Sequence, residues 1–342
     1  MGNNNYYSSG QGLSNLGNCR FPSIEKIMEG TMKLDGSVIL SDFIDTWLEI
    51  FKKNSVKSAT YDRLIVSKKA SEKYKIMRKN IERITFFDLQ EYINELARSG
   101  YGLSTVKKQF RIVSAPLKQA AALKIISADP SVGISFPKED NVKKKTKEIA
   151  AYDKREQALI WNEIATDPDD TGYLMIALLI ETGMRIGEAL ALKWDDVDFA
   201  RGAVNVHATI VFLCRPKDSF YQDSPKSSAS RRIIPLTDRA MDVMRRLLKK
   251  KQSDWVFEDA DGNRYSYNSV RWKTQRMCKR CGLKFLGDHV FRHTFATNCY
   301  YKGIDIKILS KLLGHASVQI TYDTYISLFG NGFEDMKKAL CE

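Results

Sequence analysis

A basic stretch next to two prolines divides the chain into halves with different patterns, and this break constrains the fold more than any other feature. Pro130 and Pro137 precede the run Lys138–Lys147, which is polar and densely basic. Prolines followed by a charged, polar stretch are typical of linkers between domains. We therefore predict a linker at residues 136–150 with one domain on each side, and two domains are also what 342 residues suggest.

The half before the linker shows helical periodicity. Apolar residues recur at helical spacing in four segments, which begin near Val38, Ala59, Thr85 and Ser104. Ser41 and Asp42 lie where they could cap the first helix, and Ser99-Gly100 is typical of the end of the third. We predict a small all-helical domain at residues 37–135. Residues 1–36 are polar and rich in Asn, Ser and Gly, and we expect them to form a flexible arm.

The half after the linker mixes helices with strands. Residues 203–213 alternate between apolar and polar positions, which predicts one strand, and residues 230–236 form a second short strand. Helical periodicity dominates from Thr237-Asp238, where Thr237 or Asp238 would cap a helix, to the C-terminus. We predict an α+β domain at residues 151–342. The whole chain is expected to have a mainly α fold with a small antiparallel β-sheet.

Positive charge is in excess and lies mostly in the first half. The net charge is +13, and residues 1–150 hold 25 basic against 16 acidic side chains. Such a surplus favours a polyanionic partner such as nucleic acid, although a charge run can also be a solvated face. Clustered cations are the candidates for contacts with DNA phosphates: Lys68, Lys69, Lys107, Lys108, Arg111, Lys143, Lys144 and Lys145.

Cysteine usage and hydropathy indicate where the protein acts. Six scattered cysteines form no visible disulfide framework, which fits a reducing cytoplasm. The N-terminus lacks a secretory signal, and the most apolar stretch, Tyr173–Ile180, is too short to span a bilayer. Cys278 and Cys281 have the spacing of half a zinc site, but no second pair stands at a suitable spacing. We predict a soluble, cytoplasmic protein with no metal and no membrane partner.

Two segments in the second half each place a candidate cation beside a chain reversal. In Glu181–Leu190 a glycine breaks the helix, and Arg185 and Glu188 follow it three residues apart, so that they share a helix face. In Pro225–Leu236 the cation is Lys226, which lies on a serine-rich turn before a strand and could swing towards a ligand. Taken alone, the first segment also fits a surface ion pair, and the second fits an ordinary surface lysine.

Two further segments add imidazole, guanidinium and phenol groups. In Gly287–Thr294, Asp288 is a candidate helix cap, which places His289 in the first turn and Arg292 on the same face. A helix N-terminus, an imidazole and a guanidinium all attract an oxyanion. A predicted helix end at Gly314 precedes the remaining candidates, which are His315, Tyr322 and Tyr325.

In this order the four segments resemble the tyrosine recombinase family, also called the phage integrase family. The family pattern is Thr-Gly-x-Arg-x-x-Glu, a hairpin lysine, His-x-x-Arg, a Leu-Gly-His turn and a tyrosine about ten residues later. Every element of this pattern is present, and the resemblance covers residues 150–330. The helical domain is similar, more weakly, to the SAM-like core-binding domain of the family. Phage integrases, Xer recombinases and the integrases of conjugative transposons are members.

The resemblance implies a chemical role for each residue. Arg185 and Arg292, with His315 as a third donor, would stabilise charge on the phosphate oxygens. Tyr325 would be the nucleophile and form a 3′-phosphotyrosyl bond that keeps the energy for rejoining, so that no cofactor is needed. Three further residues would have supporting roles. His289 would help to remove the phenol proton, and Lys226 would give a proton to the departing 5′ oxygen. Glu188 would orient the arginines.

Some assignments and functions stay open at this point. Tyr322 lies one helical turn from Tyr325 and would share its face, and Lys217 lies in the same loop as Lys226. The functional alternatives are a type IB topoisomerase, which has a similar site, a DNA-binding protein without catalysis, and Xer-like resolution of chromosome dimers. Two histidines outside the pattern are expected to be structural, His207 and His293.

The resemblance also implies partners. Double-stranded DNA is the substrate, and we expect a monomer in solution that forms a tetramer on synapsed DNA sites and associates with the nucleoid when bound. In the tail Ser327–Glu342, apolar residues recur at near-helical spacing and could dock on a neighbouring subunit or on the domain's own core. Integration or excision of a mobile element is the expected function, with an accessory excision factor as a further partner.

Overall fold

The computed structural model describes residues 38–138, 150–212, 220–223 and 231–325. The chain forms two compact units, Met1–Lys145 and Thr146–Glu342, so the division falls within the stretch predicted as a linker. Several predicted features lie outside the described residues: the arm at 1–36, most of the linker, Lys217, Lys226 and the tail from residue 326.

The described part of the first unit is helical. Its four α-helices are α1 Leu40–Trp47, α2 Ser58–Ser71, α3 Phe86–Arg98 and α4 Leu103–Ala122. A π-helical turn and two 3₁₀ turns complete it at Leu48–Lys52, Lys75–Arg78 and Ile81–Arg83. Apolar faces of α1, α3 and α4 share a core in which Leu40, Ile44, Leu89, Ile93 and Val113 are fully buried. Each buried Leu or Ile contributes about 1.5–3 kcal/mol, so this common core stabilises helices too short to persist alone.

Two helix starts test the sequence interpretation of the first unit. Helix α3 begins as predicted, because Thr85 and Asp88 form a reciprocal capping box in which each side chain accepts a hydrogen bond from the other's backbone N–H. The prediction for α1 was wrong: Ile39 is the cap, and Ser41 and Asp42 lie inside the first turn. A β-bridge to the turn before α3 holds Ile39 in place, and a local sequence pattern does not reveal such a long-range pairing.

The first unit also packs further along the chain than predicted. The backbone of Ser135 exchanges two hydrogen bonds with the side-chain amide of Gln90, at 2.9 and 3.0 Å. The ring of Phe136 packs edge-on against Phe110, with 5.4 Å between the ring centroids. The predicted linker therefore starts slightly too early, because Phe136 is an apolar anchor of the helical unit.

The described residues of the second unit contain eight α-helices. These are α5 Lys154–Thr166, α6 Thr171–Thr182, α7 Ile186–Ala189, α8 Asp238–Leu248, α9 Tyr267–Arg280, α10 Val290–Tyr301, α11 Ile306–Leu313 and α12 Val318–Tyr325. Helix α6 is central: residues Tyr173–Ile180 are all buried, and the helix packs against α8, α9 and α10. The apolar run is thus the axis of a globular core. Among the described helices, none is both long enough and apolar enough to cross a bilayer.

The strands form two small antiparallel sheets. One sheet has the order β1-β2-β5, and the other pairs β3 with β4, where the strands are β1 Val197–Asp198, β2 Ala203–Val206, β3 Thr209–Phe212, β4 Phe220–Asp223 and β5 Arg232–Pro235. The single strand predicted at 203–213 was wrong, because it is two strands in different sheets. Val204, Val206, Ala208 and Ile210 are all buried, so the alternation continues through the break and could not show where the chain changes partner.

Two glycines allow the close approaches that build the second unit's site. Gly183 ends α6 with φ +63°, a left-handed conformation that costs energy for residues with a side chain. A Cβ atom on Gly183 would lie 2.3 Å from the ring of Phe295, and one on Gly187 would lie 2.6 Å from the carbonyl oxygen of Ile210. The first glycine therefore lets α6 end against α10, and the second lets α7 pack on β3.

Candidate active site

Arg185 stands directly before α7, after the turn at Gly183. Its guanidinium donates to one carboxylate oxygen of Glu188 at 2.7 Å, and its backbone N–H donates to the other at 2.9 Å. The two residues therefore form a turn in which Glu188 reaches back from the short helix to the residue that precedes it. The side chain of Arg185 keeps 36% of its surface exposed, which leaves it accessible to a ligand.

Glu188 is buried and is shared by two arginines. Besides Arg185, the guanidinium of Arg232 donates to both carboxylate oxygens, at 2.8 and 3.2 Å. Burial by itself would raise the pKa of Glu188, but the hydrogen bonds from Arg232 and the charges of Arg232 and Arg185 lower it to about 2. Glu188 is therefore ionised at neutral pH, and it is suited to orient arginines rather than to exchange protons.

Arg292 lies in the first turn of α10 and is buried. Its guanidinium donates to the carbonyl oxygen of Gly183 at 2.9 Å and to that of Leu313, which are the ends of α6 and α11. Helix C-termini carry partial negative charge, so these carbonyls fix the cation where three helices meet. Burial lowers the pKa of Arg292 to about 10, and the charge of Arg185 acts in the same direction. Arg292 therefore remains a cation at neutral pH.

Tyr325 ends α12 and has 1% of its surface exposed. Its hydroxyl lies 3.3 Å from Nδ1 of His293 and is close enough to Arg292 for the charge of that guanidinium to act on the phenol. Burial raises the pKa of the phenol, while the charges of Arg292 and Arg185 act in the opposite direction. Tyr322, one turn earlier, is 49% exposed. The geometry therefore favours Tyr325 over Tyr322 as the phenol that meets the arginines.

His315 lies in the turn between α11 and α12. Its Nδ1 is 2.8 Å from the hydroxyl of the buried Thr321, and its ring stacks on Tyr325 with 6.5 Å between the centroids. Burial lowers the pKa of His315 to about 4, and the charges of Arg292 and Arg185 add to this effect. The imidazole is therefore neutral at physiological pH and acts through hydrogen bonds.

The pH dependence of stability tests this burial. His315 has an ordinary pKa of 6.5 and a pKa of about 4 in the folded protein. Folding thus favours the neutral form, so this contribution is complete above pH 6.5 and is lost as the pH falls towards 4. The loss is on the order of 3 kcal/mol. We expect His315→Asn, which keeps a hydrogen-bonding group near Thr321, to lose less stability than the wild type between pH 7 and pH 4.5.

Urea unfolding of both proteins across this pH range measures the difference. All other titrating groups are common to the two proteins, so subtracting their unfolding free energies isolates the imidazole. Parallel pH dependences would contradict the burial of His315.

Two histidines stand near the start of α10. The prediction that Asp288 caps this helix was wrong, because His289 is itself the cap and the Asp288 carboxylate pairs with side chains of α9. His289 is exposed, and its ring lies 6.3 Å from that of His293. In this structure His293, which was expected to be structural, lies within hydrogen-bonding distance of Tyr325. The two histidines are four residues apart on one helix face, so periodicity gave no reason to prefer either.

Arg232 is a residue of the site to which the sequence analysis assigned no role. It begins β5, is buried, and donates from Nε to the carbonyl oxygen of Leu312 at 2.6 Å in addition to its bonds with Glu188. A sequence signal existed, because an arginine at an inward position of a short strand needs an ionic partner. Between β5 and α11 an open cavity of about 400 Å³ is lined by Arg231, Arg232, Ile233, Ile308, Lys311, Leu312 and His315.

The residues predicted to contact DNA differ in their surroundings. Four of them are exposed on the helical unit: Lys69, Lys107, Lys108 and Arg111. Lys68 is buried, and its ammonium lies 2.7 Å from Asp45 and 2.8 Å from Glu72. It is therefore already paired within the unit and does not fit the predicted phosphate contact. Three linker lysines lie outside the described residues, Lys143, Lys144 and Lys145.

The site concentrates positive charge around a phenol. Three arginines surround Glu188 and Tyr325, so the cluster keeps a net positive charge. Within the ranges that the structure describes, no group of three or more His, Cys, Asp or Glu side chains is placed to hold a metal ion. Cys278 is buried with its sulfur 3.2 Å from the hydroxyl of Tyr152. The cluster of three arginines around Glu188 and Tyr325 can bind a phosphodiester and present the phenol oxygen to it.

The part of the chain that forms this site matches the model of a known protein family. The model of the phage integrase family matches residues 152–330, which hold all of these groups. The chain belongs to the phage integrase family. It is a site-specific tyrosine recombinase, an enzyme of DNA recombination.

Two relatives of the recombinase bear different names. It is 25% identical over 321 residues to a XerC-like tyrosine recombinase of Caldanaerobacter subterraneus subsp. tengcongensis, with 84% of this chain and 79% of the relative covered. It is also 25% identical over 286 residues to the transposase of transposon Tn916 from Enterococcus faecalis, with 78% and 69% covered.

Solved structures share the fold of the recombinase. The Tn1549 transposon integrase in complex with a circular intermediate DNA matches with a TM-score of 0.71 and 20% identity, covering 84% of this chain and 95% of that chain. A lambda integrase dimer bound to a core site matches with a TM-score of 0.62, 19% identity and the same coverage. The predicted fold class, mainly α with a small antiparallel sheet, is confirmed.

Proposed function

We propose that this recombinase integrates or excises a mobile element by cutting and rejoining DNA through Tyr325. The observation that carries the chemistry is the position of the buried Tyr325 hydroxyl, 3.3 Å from His293, stacked beside His315 and within the positive field of Arg292. These groups would hold a DNA phosphate against the phenol. The mobile element is favoured because one relative and one structural neighbour are named as transposon proteins.

The proposed cleavage exchanges one ester for another. The phenol oxygen of Tyr325 attacks the phosphorus, the bond from phosphorus to the 5′ oxygen breaks, and the DNA keeps a 3′-phosphotyrosyl ester. The phenol proton passes to an imidazole, for which His293 and His289 are the candidates, and Lys226 gives a proton to the departing 5′ oxygen. Because the ester energy is kept, attack by a 5′ hydroxyl rejoins the strands without a cofactor.

Two guanidiniums suit the charge that develops on phosphorus-bound oxygens. Arg292 is held by two carbonyls before DNA arrives, so it loses little further freedom when it binds an oxyanion. Arg185 is partly exposed and can meet the phosphate first. Since Tyr325 is buried, DNA binding must also displace its neighbours before in-line attack, and a shift of α12 would achieve this.

We propose DNA contacts on both units. In the helical unit and the linker these are the exposed cations already named and Lys143, Lys144 and Lys145. In the second unit, α9 has an exposed face formed by Arg271, Trp272, Gln275, Arg276 and Lys279. Arg271 also pairs at 3.5 Å with Asp288, the residue before His289, so this face borders the site. Trp272 is 69% exposed, and an exposed tryptophan among cations favours a binding surface.

Mapping the DNA that becomes covalently attached tests this function. The recombinase is expressed in cells, adducts are trapped with denaturant, and the attached DNA is sequenced. We expect the sequences to be the ends of a mobile element and its insertion site. Attachment at one chromosomal site without an element would favour dimer resolution instead, and unselective attachment with relaxation of any supercoiled plasmid would favour a topoisomerase.

We further propose that the enzyme is a monomer in solution and a tetramer on two DNA sites, with an accessory factor for excision. A lambda integrase tetramer bound to a Holliday junction matches this chain with a TM-score of 0.62. The tail supports assembly because apolar residues recur in it, at Phe329, Phe333, Met336 and Leu340.

Removing the tail tests this assembly. Deletion of residues 329–342 is expected to abolish recombination between two sites and to leave binding to one site unchanged, because only assembly would need the tail. Gel-shift titration measures binding, and a two-site plasmid carrying the mapped sequence measures recombination. Normal recombination by the truncated protein would rule out tail docking between subunits.

A further inference from the structure

Arg232 occupies the centre of a hydrogen-bonded network that links both halves of the site. Its Nε donates to the Leu312 carbonyl at 2.6 Å, and its two terminal nitrogens donate to the carboxylate of Glu188 at 3.2 and 2.8 Å. The neighbouring carbonyl, that of Leu313, accepts from Arg292. Arg232 is 9% exposed, so its guanidinium is committed to these partners rather than presented to a DNA phosphate.

The charge around Glu188 shows what Arg232 contributes. A buried carboxylate with a single cationic partner holds that cation tightly, because opposite charges attract strongly in a low-dielectric interior. Paired with Arg185 alone, Glu188 would therefore cancel the charge that a phosphate needs. With Arg232 as a second partner, the three side chains carry one net positive charge. Of the three side chains, only that of Arg185 is accessible to a phosphate, since it is 36% exposed while those of Glu188 and Arg232 are each 5% exposed.

We propose that Arg232 is a positioning residue that neutralises Glu188, so that Arg185 keeps a free positive charge for the scissile phosphate. The bond to Leu312 fixes the Arg232 guanidinium against the carboxylate. The inference rests on the proposed role of Arg185 in cleavage. It goes beyond that role because it assigns the availability of Arg185 to a residue that does not itself touch DNA.

A double-substitution experiment tests this. Single-turnover formation of the Tyr325 adduct is measured on a nicked duplex that carries the mapped site. We expect Arg232→Gln to slow cleavage roughly 10- to 100-fold, while the affinity for DNA changes less than about three-fold. In a Glu188→Gln background the same change at Arg232 is expected to alter the rate less than about three-fold, because no carboxylate remains to be neutralised.

The effect of Arg232→Gln in the Glu188→Gln protein shows whether Arg232 acts by positioning Glu188 or has a general structural role. If Arg232→Gln slows cleavage by more than about three-fold within the Glu188→Gln background, Arg232 does not act through Glu188 and the proposal is overturned. This comparison does not need the single Arg232→Gln protein to fold, since both proteins in it lack the buried carboxylate. Arg201→Gln, a change at a side chain 82% exposed, is the matched control and should cleave like the wild type.

A conservative variant covers the case in which Glu188→Gln abolishes cleavage. Arg232→Lys keeps the charge and loses the forked geometry, so we expect it to cleave at least about ten-fold faster than Arg232→Gln. Equal rates for the two variants would overturn the proposal. Failure of the proposed function looks different, because wild-type protein would then form no adduct at Tyr325 on the mapped DNA.

Discussion

Replacing Tyr325 by phenylalanine is expected to abolish the covalent protein–DNA adduct and all strand joining. The change removes one oxygen atom from a side chain that is 1% exposed, so the packing against α10 and α11 should persist. Without that oxygen no phosphotyrosyl ester can form at residue 325. Adducts are measured by denaturing gel electrophoresis after incubation with labelled DNA of the mapped site.

Tyr322→Phe is the matched control for this change. It removes the same atom one helical turn away, from a side chain that is 49% exposed. We expect this protein to form adducts at close to the wild-type rate. Adducts that persist in Tyr325→Phe but vanish in Tyr322→Phe would move the nucleophile to Tyr322. DNA binding by both variants, measured in parallel, shows whether any loss arises in chemistry or in binding.

Arg185→Lys is expected to lower the single-turnover cleavage rate by about 10²–10³-fold, which corresponds to about 3–4 kcal/mol of transition-state stabilisation. Lysine keeps the charge but cannot present two parallel N–H groups to phosphate oxygens. Thermal stability should change little, because the Arg185 side chain is 36% exposed and Glu188 keeps its two bonds to Arg232. The effect therefore appears in chemistry rather than in folding.

A second lysine substitution controls for the loss of a guanidinium in general. Arg98→Lys changes a side chain that is 65% exposed on the helical unit, and we expect its cleavage rate to match the wild type. A reduction smaller than about ten-fold in Arg185→Lys would show that this residue does not contact the phosphate in the transition state. Binding curves at several salt concentrations exclude a simple loss of affinity for DNA.

Features of the fold that depend on neighbouring residues agree with the sequence predictions. Helix α3 begins beside Thr85 as predicted, and the apolar run Tyr173–Ile180, predicted to be too short to span a bilayer, lies in a buried helix of the core. These features depend on residues within one or two helical turns. The predictions that were wrong concern partners instead: the division of 203–213 between two sheets, the cap of α1 and the cap of α10.

Inside the site, too, the sequence predicted residues from local motifs but not partners that are far apart in the chain. Arg185, Glu188, Arg292, His315 and Tyr325 were predicted from the sequence as site residues, and the structure places them near one another at the ends of α6, α10, α11 and α12. Lys68 was misjudged because its partner Asp45 is 23 residues away in sequence. Arg232 was passed over for the same reason, since it bonds Glu188 across 44 residues and Leu312 across 80.

By itself, the sequence determined the order of the candidate reactive groups and predicted the helices that carry them, because helical periodicity acts over a few residues. Tertiary structure alone decided that Arg185 and Arg232 share the buried carboxylate of Glu188. It also decided that His293 lies within hydrogen-bonding distance of the Tyr325 hydroxyl and that the phenol is buried beside Arg292. The physical reason is that burial and charge pairing depend on distances between segments far apart in the chain, and local periodicity carries no information about those distances.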